Sequence, residues 1–171
     1  MNKKLVVYFS HKGENYSKGR IVNLKKGNTE IAVEIISNIT GADIFEIVAD
    51  KKYPIKYDDC IEIAKKELRA NSRPKLKDDI DIKEYDTIFV GYPNWWGTMP
   101  MPVWTFLEEK DFTNKKILPF CTHEGSGLGK SESDIKKLIG GAEVLKGLAI
   151  NGSEVNNSEK QIKKWLEDSL K

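Results

Sequence analysis

The sequence predicts a doubly wound α/β fold, a five-stranded parallel sheet covered by helices in three αβα layers, formed as a single domain over residues 1–171. Three observations predict it. Short apolar runs such as Leu5-Val6-Val7-Tyr8-Phe9 and Thr87-Ile88-Phe89-Val90-Gly91 are near-continuous, which suits strands buried on both faces. Segments of helical period separate them, and five strands alternating with five helices call for right-handed βαβ crossovers. No internal repeat, linker or low-complexity stretch interrupts the chain, and 171 residues can bury one sizeable core.

The first strand, Leu5 to Phe9, ends in Ser10. Residues 11–28 follow, rich in Gly, Asn and Lys, with an apolar island at Ile21-Val22 that either forms a small hairpin strand or stays in a loop. A connection this long is more often functional than idle. From Thr29 the period changes: Ile31, Ala32, Ile35, Ile36 and Ile39 share a helical face, and Gly41 supplies the stop. Residues 42–48 alternate as a second strand. Tyr57, Ile61, Ala64 and Leu68 make a second amphipathic helix, ended by Asn71-Ser72-Arg73-Pro74.

Asp86 to Tyr92 is the third strand, and the third helix starts near Pro102, since proline suits a first turn, with Val103, Phe106 and Leu107 inward. Residues 116–121 form the fourth strand, where Pro119 is awkward because a central strand needs its N–H. The fourth helix carries Ile135, Leu138 and Ile139 and stops at Gly140-Gly141. Residues 144–150 form the fifth strand, and Ser158 caps a last helix with Ile162, Trp165, Leu166 and Leu170.

Composition narrows the function classes. Lys+Arg 28 against Asp+Glu 26 leaves a net charge of +2, too even to argue for nucleic acid, and the lysine pairs are spread along the chain as a solvated surface. Cys60 and Cys121, the only two cysteines, have no metal-ligand or CxxC spacing and read as reduced, partly buried thiols. The basic N-terminus precedes an apolar run too short for a signal peptide, and nothing reaches transmembrane length. These features lead to the expectation of a soluble cytoplasmic protein.

In an open α/β sheet, ligands bind beyond the carboxyl ends of the strands. Three loops leave those ends with unusual composition. After strand one come Ser10 and then Gly27-Asn28-Thr29 at a helix start, where N–H groups can hold an anion; Asn28 or Thr29 could equally be only the N-cap. After strand three come Pro93-Asn94-Trp95-Trp96-Gly97, two flat rings among turn residues, either a platform for a planar aromatic ligand or a cap on the core. After strand four comes Thr122-His123-Glu124-Gly125-Ser126-Gly127, small and polar, suited to reading the edge of a heterocycle. His123 has no paired nucleophile and no GxSxG elbow exists, so a hydrogen-bonding or neutral surface ring is favoured over a catalytic one. The absence of GxGxxG and of a Walker lysine argues against nucleoside triphosphates.

Taken together, Tyr8-Phe9-Ser10, Gly27-Asn28-Thr29, Gly91-Tyr92-Pro93-Asn94-Trp95-Trp96-Gly97 and Cys121-Thr122-His123-Glu124-Gly125-Ser126-Gly127 resemble the flavodoxin family over essentially the whole chain. The match is especially close to a flavodoxin-like branch with an insertion in its phosphate loop. The resemblance implies strand order 2-1-3-4-5 and one noncovalent FMN. It implies that Ser10, Asn28 and Thr29 hold the phosphate, with Lys12 adding a charge contact. It implies that Pro93, Asn94, Trp95, Trp96 and Gly97 flank the isoalloxazine, and that Thr122, His123, Glu124, Gly125 and Gly127 form its other wall. Two departures stand out: Lys12 occupies a hydroxyl position of the usual phosphate run, which residues 14–26 split, and the chain is not acidic as carrier flavodoxins are.

The resemblance supports three functions. The first is an electron carrier shuttling FMN between reduced and semiquinone states for redox partner proteins. The second is an NAD(P)H-dependent reductase of a quinone or similar small acceptor, since the Pro93–Pro100 stretch also resembles the flavin loop of such enzymes. The third is a flavodoxin-like domain that binds no flavin. The carrier is favoured because so short a chain leaves little room for a nicotinamide pocket.

Overall fold

The computed structural model describes residues 2–171. In chain order the elements are β1 (Lys4–Tyr8), β2 (Gly13–Ser17), β3 (Arg20–Leu24), α1 (Asn28–Thr40), β4 (Asp43–Glu46), α2 (Tyr57–Arg69) and β5 (Thr87–Pro93). They continue as α3 (Met101–Glu109), β6 (Lys116–His123), α4 (Ser131–Leu138), β7 (Glu143–Val144), β8 (Leu148–Asn151), a 3₁₀ turn over Gly152–Asn157 and α5 (Glu159–Ser169). The main sheet runs β4-β1-β5-β6-β7, with β8 also on β6, and every pairing in it is parallel. Leaving the β2–β3 hairpin aside, this is the order 2-1-3-4-5 implied by the resemblance.

Side chains alternate across the sheet because the strand period is two. Leu5 and Val7 on β1, Ile88 and Val90 on β5, and Ile117 and Cys121 on β6 enter a core with α3 and α4. Val6 and Tyr8, Phe89, and Leu118 and Phe120 enter a second core with α1 and α5. Burial on both faces is what the continuous apolar runs encode. Both thiols are free and buried, and burial pushes Cys60 and Cys121 each up to about 12.

Several elements depart from the sequence expectation. The inward face of α1 is Thr29, Ala32, Val33 and Ile36, so Ile31 and Ile35 are only partly covered and Ile39 is exposed. Ser158 precedes α5 but does not cap it with its side chain, because its hydroxyl donates to Val155 O at 2.6 Å. The island at Ile21-Val22, for which the sequence allows either a hairpin strand or a loop, is a strand: it lies within β3, paired antiparallel with β2.

The fifth strand is broken, and Pro119 marks the break. Lys116 N–H donates to Asp86 O on the β5 side, and the Ile117 carbonyl accepts from Leu145 N–H on the opposite side. With a period of two, the Pro119 nitrogen faces that opposite side, where it has no hydrogen to offer. There the neighbour divides: Ile117 pairs with Val144 of β7, and pairing resumes only at Phe120 with Leu148 of β8. Pro119 is therefore accommodated in a central strand by splitting the strand beside it.

Among the described residues no helix is long and apolar enough to cross a membrane. Gly91 on β5 lies opposite Phe120, and a Cβ there would come within 2.2 Å of the Phe120 ring. Gly91→Ala is expected to destabilise the fold by about 1–3 kcal/mol through overpacking. Gly140→Ala, where a Cβ meets nothing within 4 Å, should leave the urea midpoint almost unchanged. Equal midpoints for the two variants would refute the close packing at Gly91.

Candidate functional site

The strand order turns back at the β1–β5 boundary, since the chain leaves β1 for β4 on one side and returns to β5 on the other. Such switch points open a crevice at the carboxyl edge. A cavity of about 560 Å³ lies there, within the usual range for small-molecule sites.

The first wall is the start of α1. Gly27 precedes the helix at close quarters with the end of β1: a Cβ would lie 2.2 Å from Ser10 Oγ and 2.9 Å from His11 O, so only glycine fits. Ser10 Oγ accepts from Glu30 N–H at 3.2 Å, and Ile31 N–H bonds back to Gly27 O. The N–H groups of Asn28 and Thr29 have no partner among the described residues and give the cavity a partially positive end. The Thr29 hydroxyl is buried and shares a 2.7 Å hydrogen bond with Thr122 Oγ1, which ties this wall to the loop after β6.

The second wall is the tryptophan loop. Trp95 N–H donates to Thr98 O at 2.9 Å, closing a tight turn in which Trp96 and Gly97 both have positive φ, 57° and 87°. Positive φ at both central residues is the hairpin-turn pattern that favours glycine, and a bulky residue there is strained by about 1–3 kcal/mol. The Trp96 indole N–H donates to Ile61 O at 3.0 Å, and the Lys65 ammonium sits 5.1 Å from its ring centre, so α2 holds the strained residue in place. The two rings have different environments. Trp95 is wedged edge-on against Phe9, Tyr53 and His11, whereas Trp96 is 48% exposed at the rim.

Asn94 joins the second wall to the third. Its N–H donates to Thr122 O at 2.9 Å, its amide nitrogen donates to Gly127 O at 2.9 Å, and its amide oxygen accepts from Gly97 N–H at 2.9 Å. Lys130 N–H adds a bond to Gly97 O at 2.7 Å. His123 Nδ1 accepts from Gly125 N–H, and burial lowers the pKa of this histidine. The ring is accordingly neutral at pH 7, with its proton on Nε2. Glu124 Oε2 accepts from Lys18 N–H at 3.3 Å, while Oε1 is buried without a partner.

A strap completes the site. The β2–β3 hairpin is anchored at its base by Glu14, whose carboxylate accepts from Tyr57 N–H at 2.7 Å and so satisfies the start of α2. The hairpin tip reaches the loop after β6 through the Lys18 N–H to Glu124 bond and ends in a 3.5 Å Lys18–Glu154 ion pair. Between these anchors Tyr16 lies 6.4 Å from the Tyr57 ring, centre to centre. His11, at the strap's root, bonds Pro54 O through Nε2 at 3.0 Å, which fixes the proton on that nitrogen. Burial also lowers its pKa.

Of the residues singled out from the sequence, Asn28, Thr29, Pro93, Asn94, Trp95, Trp96, Gly97, Thr122, His123 and Glu124 line the cavity together. Ser10, Lys12, Gly125 and Gly127 do not. Ser10 supports the helix start from behind, Lys12 is exposed and its charge acts on Glu46, and the two glycines shape the loop through backbone bonds. The sequence reading missed His11, Glu14, Asn15 and Tyr16 on the strap, Tyr57, Cys60, Ile61 and Ala64 on α2, and Ser126 and Gly152. Lys18-Gly19 between two five-residue strands is the turn signal that could have revealed the hairpin. Nothing local announces that the apolar face of α2 looks into a cavity.

A model of the flavodoxin family matches residues 3–169, and the chain belongs to that family. Among solved structures, the chain is similar to a protein from Bacteroides eggerthii assigned as a flavoprotein, with 27% identity, TM-score 0.80 and coverage of 100% of this chain and 99% of that one. A second, from Bacteroides uniformis and assigned likewise, has 29% identity, TM-score 0.77 and coverage of 95% and 98%. A flavoprotein from Lactobacillus acidophilus, solved in complex with FMN, shares the fold at 24% identity, TM-score 0.65 and coverage of 92% and 98%. No curated protein matches the chain.

The two histidines set a pH dependence. Both are held below the ordinary value, so the unfolded chain binds more protons as pH falls through about 6.5, and stability present above that pH is lost below it. Glu46 and Glu67, raised by burial, act in the opposite sense near their own range. Comparison with a variant isolates the histidine contribution: urea stability should fall less between pH 7.5 and pH 5.5 in His11→Gln than in the parent. Identical losses would mean that His11 is not held neutral by the fold.

Proposed function

We propose that this chain, as a member of the flavodoxin family, binds FMN noncovalently in the cavity at the carboxyl edge and serves as an electron carrier. The residues present suit that group. Trp95, Trp96, Tyr16 and Tyr57 offer aromatic surface for a planar ring, and the start of α1 offers backbone N–H groups and the Asn28 amide to a phosphate. Glu124 Oε1, buried without a donor, is an acceptor that a ligand hydroxyl or imide N–H would satisfy. Bound there, FMN supplies one-electron redox chemistry. The protein's part is to orient it, keep water from it and hold His123 as a neutral ring beside it.

The observation that carries the carrier reading over a reductase is the character of the lining. Its charged side chains are Glu14 and Glu124, and among the described residues no lysine or arginine lines the cavity. The single α1 start can serve one phosphate, which leaves no cation to grip the diphosphate of a nicotinamide ligand in the same cavity. The family supports flavin binding, and the Lactobacillus acidophilus neighbour was solved with FMN.

Two measurements test this reading. Adding FMN should quench tryptophan fluorescence, because Trp95 and Trp96 both line the cavity; a colourless protein with unquenched tryptophans would end the flavin assignment. Loaded protein mixed anaerobically with NADPH should keep its flavin colour until dithionite is added, whereas rapid bleaching by NADPH would favour the reductase.

The phosphate end has its own test. Asn28→Asp places a like charge beside the phosphate and should weaken FMN roughly tenfold while changing riboflavin by no more than about twofold. Equal losses for both ligands would remove the phosphate from the α1 end. Thr29→Ala is the less informative change, since the Thr29 hydroxyl is already committed to Thr122.

A further inference from the structure

The strap that crosses the cavity also sets the charge around its mouth. Residues 11–26 carry Lys12, Lys18, Arg20, Lys25 and Lys26 against Glu14 alone, a net +4 in a chain whose total is +2. The rest of the molecule is therefore net negative, and the positive excess is gathered at the mouth of the site. The one carboxylate is consumed at the start of α2. Lys18 and Lys26 are paired with Glu154 and Glu34, but Arg20 and Lys25 are exposed and take no ion pair among the described residues.

Apolar exposure is concentrated in the same place. Tyr16 and Ile21 face each other across the hairpin, each 45% exposed, and Ile55, 69% exposed, packs beside Gly13 at its base. Trp96 at the rim adds a fourth large side chain. Most large apolar groups that the molecule leaves open thus surround one opening, framed by unpaired cations. An apolar centre with a charged rim is the composition of a protein docking surface, and the rim's sign selects the partner through steering.

We infer that the mouth of the cavity, framed by the strap and the Trp96 rim, is the docking surface for an acidic electron-transfer protein, one carrying a carboxylate-rich rim around its own redox centre. The inference rests on the carrier reading and extends it. The cations of the strap stand outside the cavity lining and are spread along the hairpin around its mouth, so they suit a broad acidic protein surface better than a small phosphate ligand. The reaction is transfer of one electron from reduced flavin to the partner's oxidised metal, which lowers its oxidation state by one. The polarity is opposite to that of a carrier with an acidic rim.

The test uses the full-length FMN-loaded protein with two probes, an acidic blue-copper protein and a basic c-type cytochrome, both strong one-electron oxidants. In ¹⁵N spectra at low salt, the diamagnetic copper(I) probe should shift amides of Arg20 to Lys25 and the Trp96 indole, and about 0.2 M salt should abolish the shifts. Electron transfer to the copper(II) form should be at least about tenfold faster at low salt than at high salt. The double variant Arg20→Glu with Lys25→Glu should lose both the shifts and the rate advantage. Lys160→Glu with Lys164→Glu on α5, which changes the net charge equally, should lose neither.

Shifts confined to other surfaces, equal effects of the two double variants, or faster transfer to the basic cytochrome at low salt would overturn the inference while leaving the carrier reading intact. Failure to bind FMN at all would overturn both.

Discussion

Burial of the central sheet on both faces is the constraint from which the rest of this structure follows. Successive side chains of β1, β5 and β6 enter opposite cores, so neither face can host a ligand. Function is left to the strand ends, and the reversal of strand order between β1 and β5 selects which ends. Even Pro119 obeys the constraint: it remains in the central strand, and the neighbour on its donor-less side divides into β7 and β8. The sheet tolerates a missing N–H more readily than a displaced core strand.

At the carboxyl edge, the walls of the cavity are joined chiefly by polar bonds. Asn94 ties the tryptophan loop to Thr122 and Gly127, and Thr29 ties α1 to Thr122, so the loops after β5 and β6 and the start of α1 form one braced frame. The strap closes the frame from outside through Glu14 on α2 and Lys18 on Glu124. The strained Trp96 belongs to this design. Its φ of 57° brings a large ring to the rim, and the bond from its indole to Ile61 O holds it there. Residues that read as direct ligand contacts in a linear motif thus have a second role as braces, and Asn94 has both amide groups committed before any ligand arrives.

The hairpin also changes the meaning of the overall charge. A total of +2 suggests no strong steering in either direction. Folding sorts that total into a basic strap over the site and a net negative remainder. Steering depends on the local field at the opening and not on the sum.

Much was legible from the residues alone, for physical reasons. Continuous apolar runs signal strands with two buried faces, a period of 3.6 signals helices, and Gly27-Asn28-Thr29 with Trp95-Trp96-Gly97 signals loops under a chemical demand. Those signals are local, so they give the strands, most of the helices and ten of the cavity's lining residues, Asn28 through Glu124. What they cannot carry is pairing between distant residues. That Glu14 satisfies the start of α2 over 43 positions, that Ile61 and Ala64 turn toward a cavity instead of a core, and that Ser10 and Lys12 stand outside the lining are set by how the loops close over the sheet. The sequence by itself determined the sheet, its two cores and the aromatic and anion-friendly ends of the strands; the tertiary structure alone decided which of those side chains face a ligand and which brace the frame, because that choice depends on hydrogen bonds whose partners are far apart in the chain.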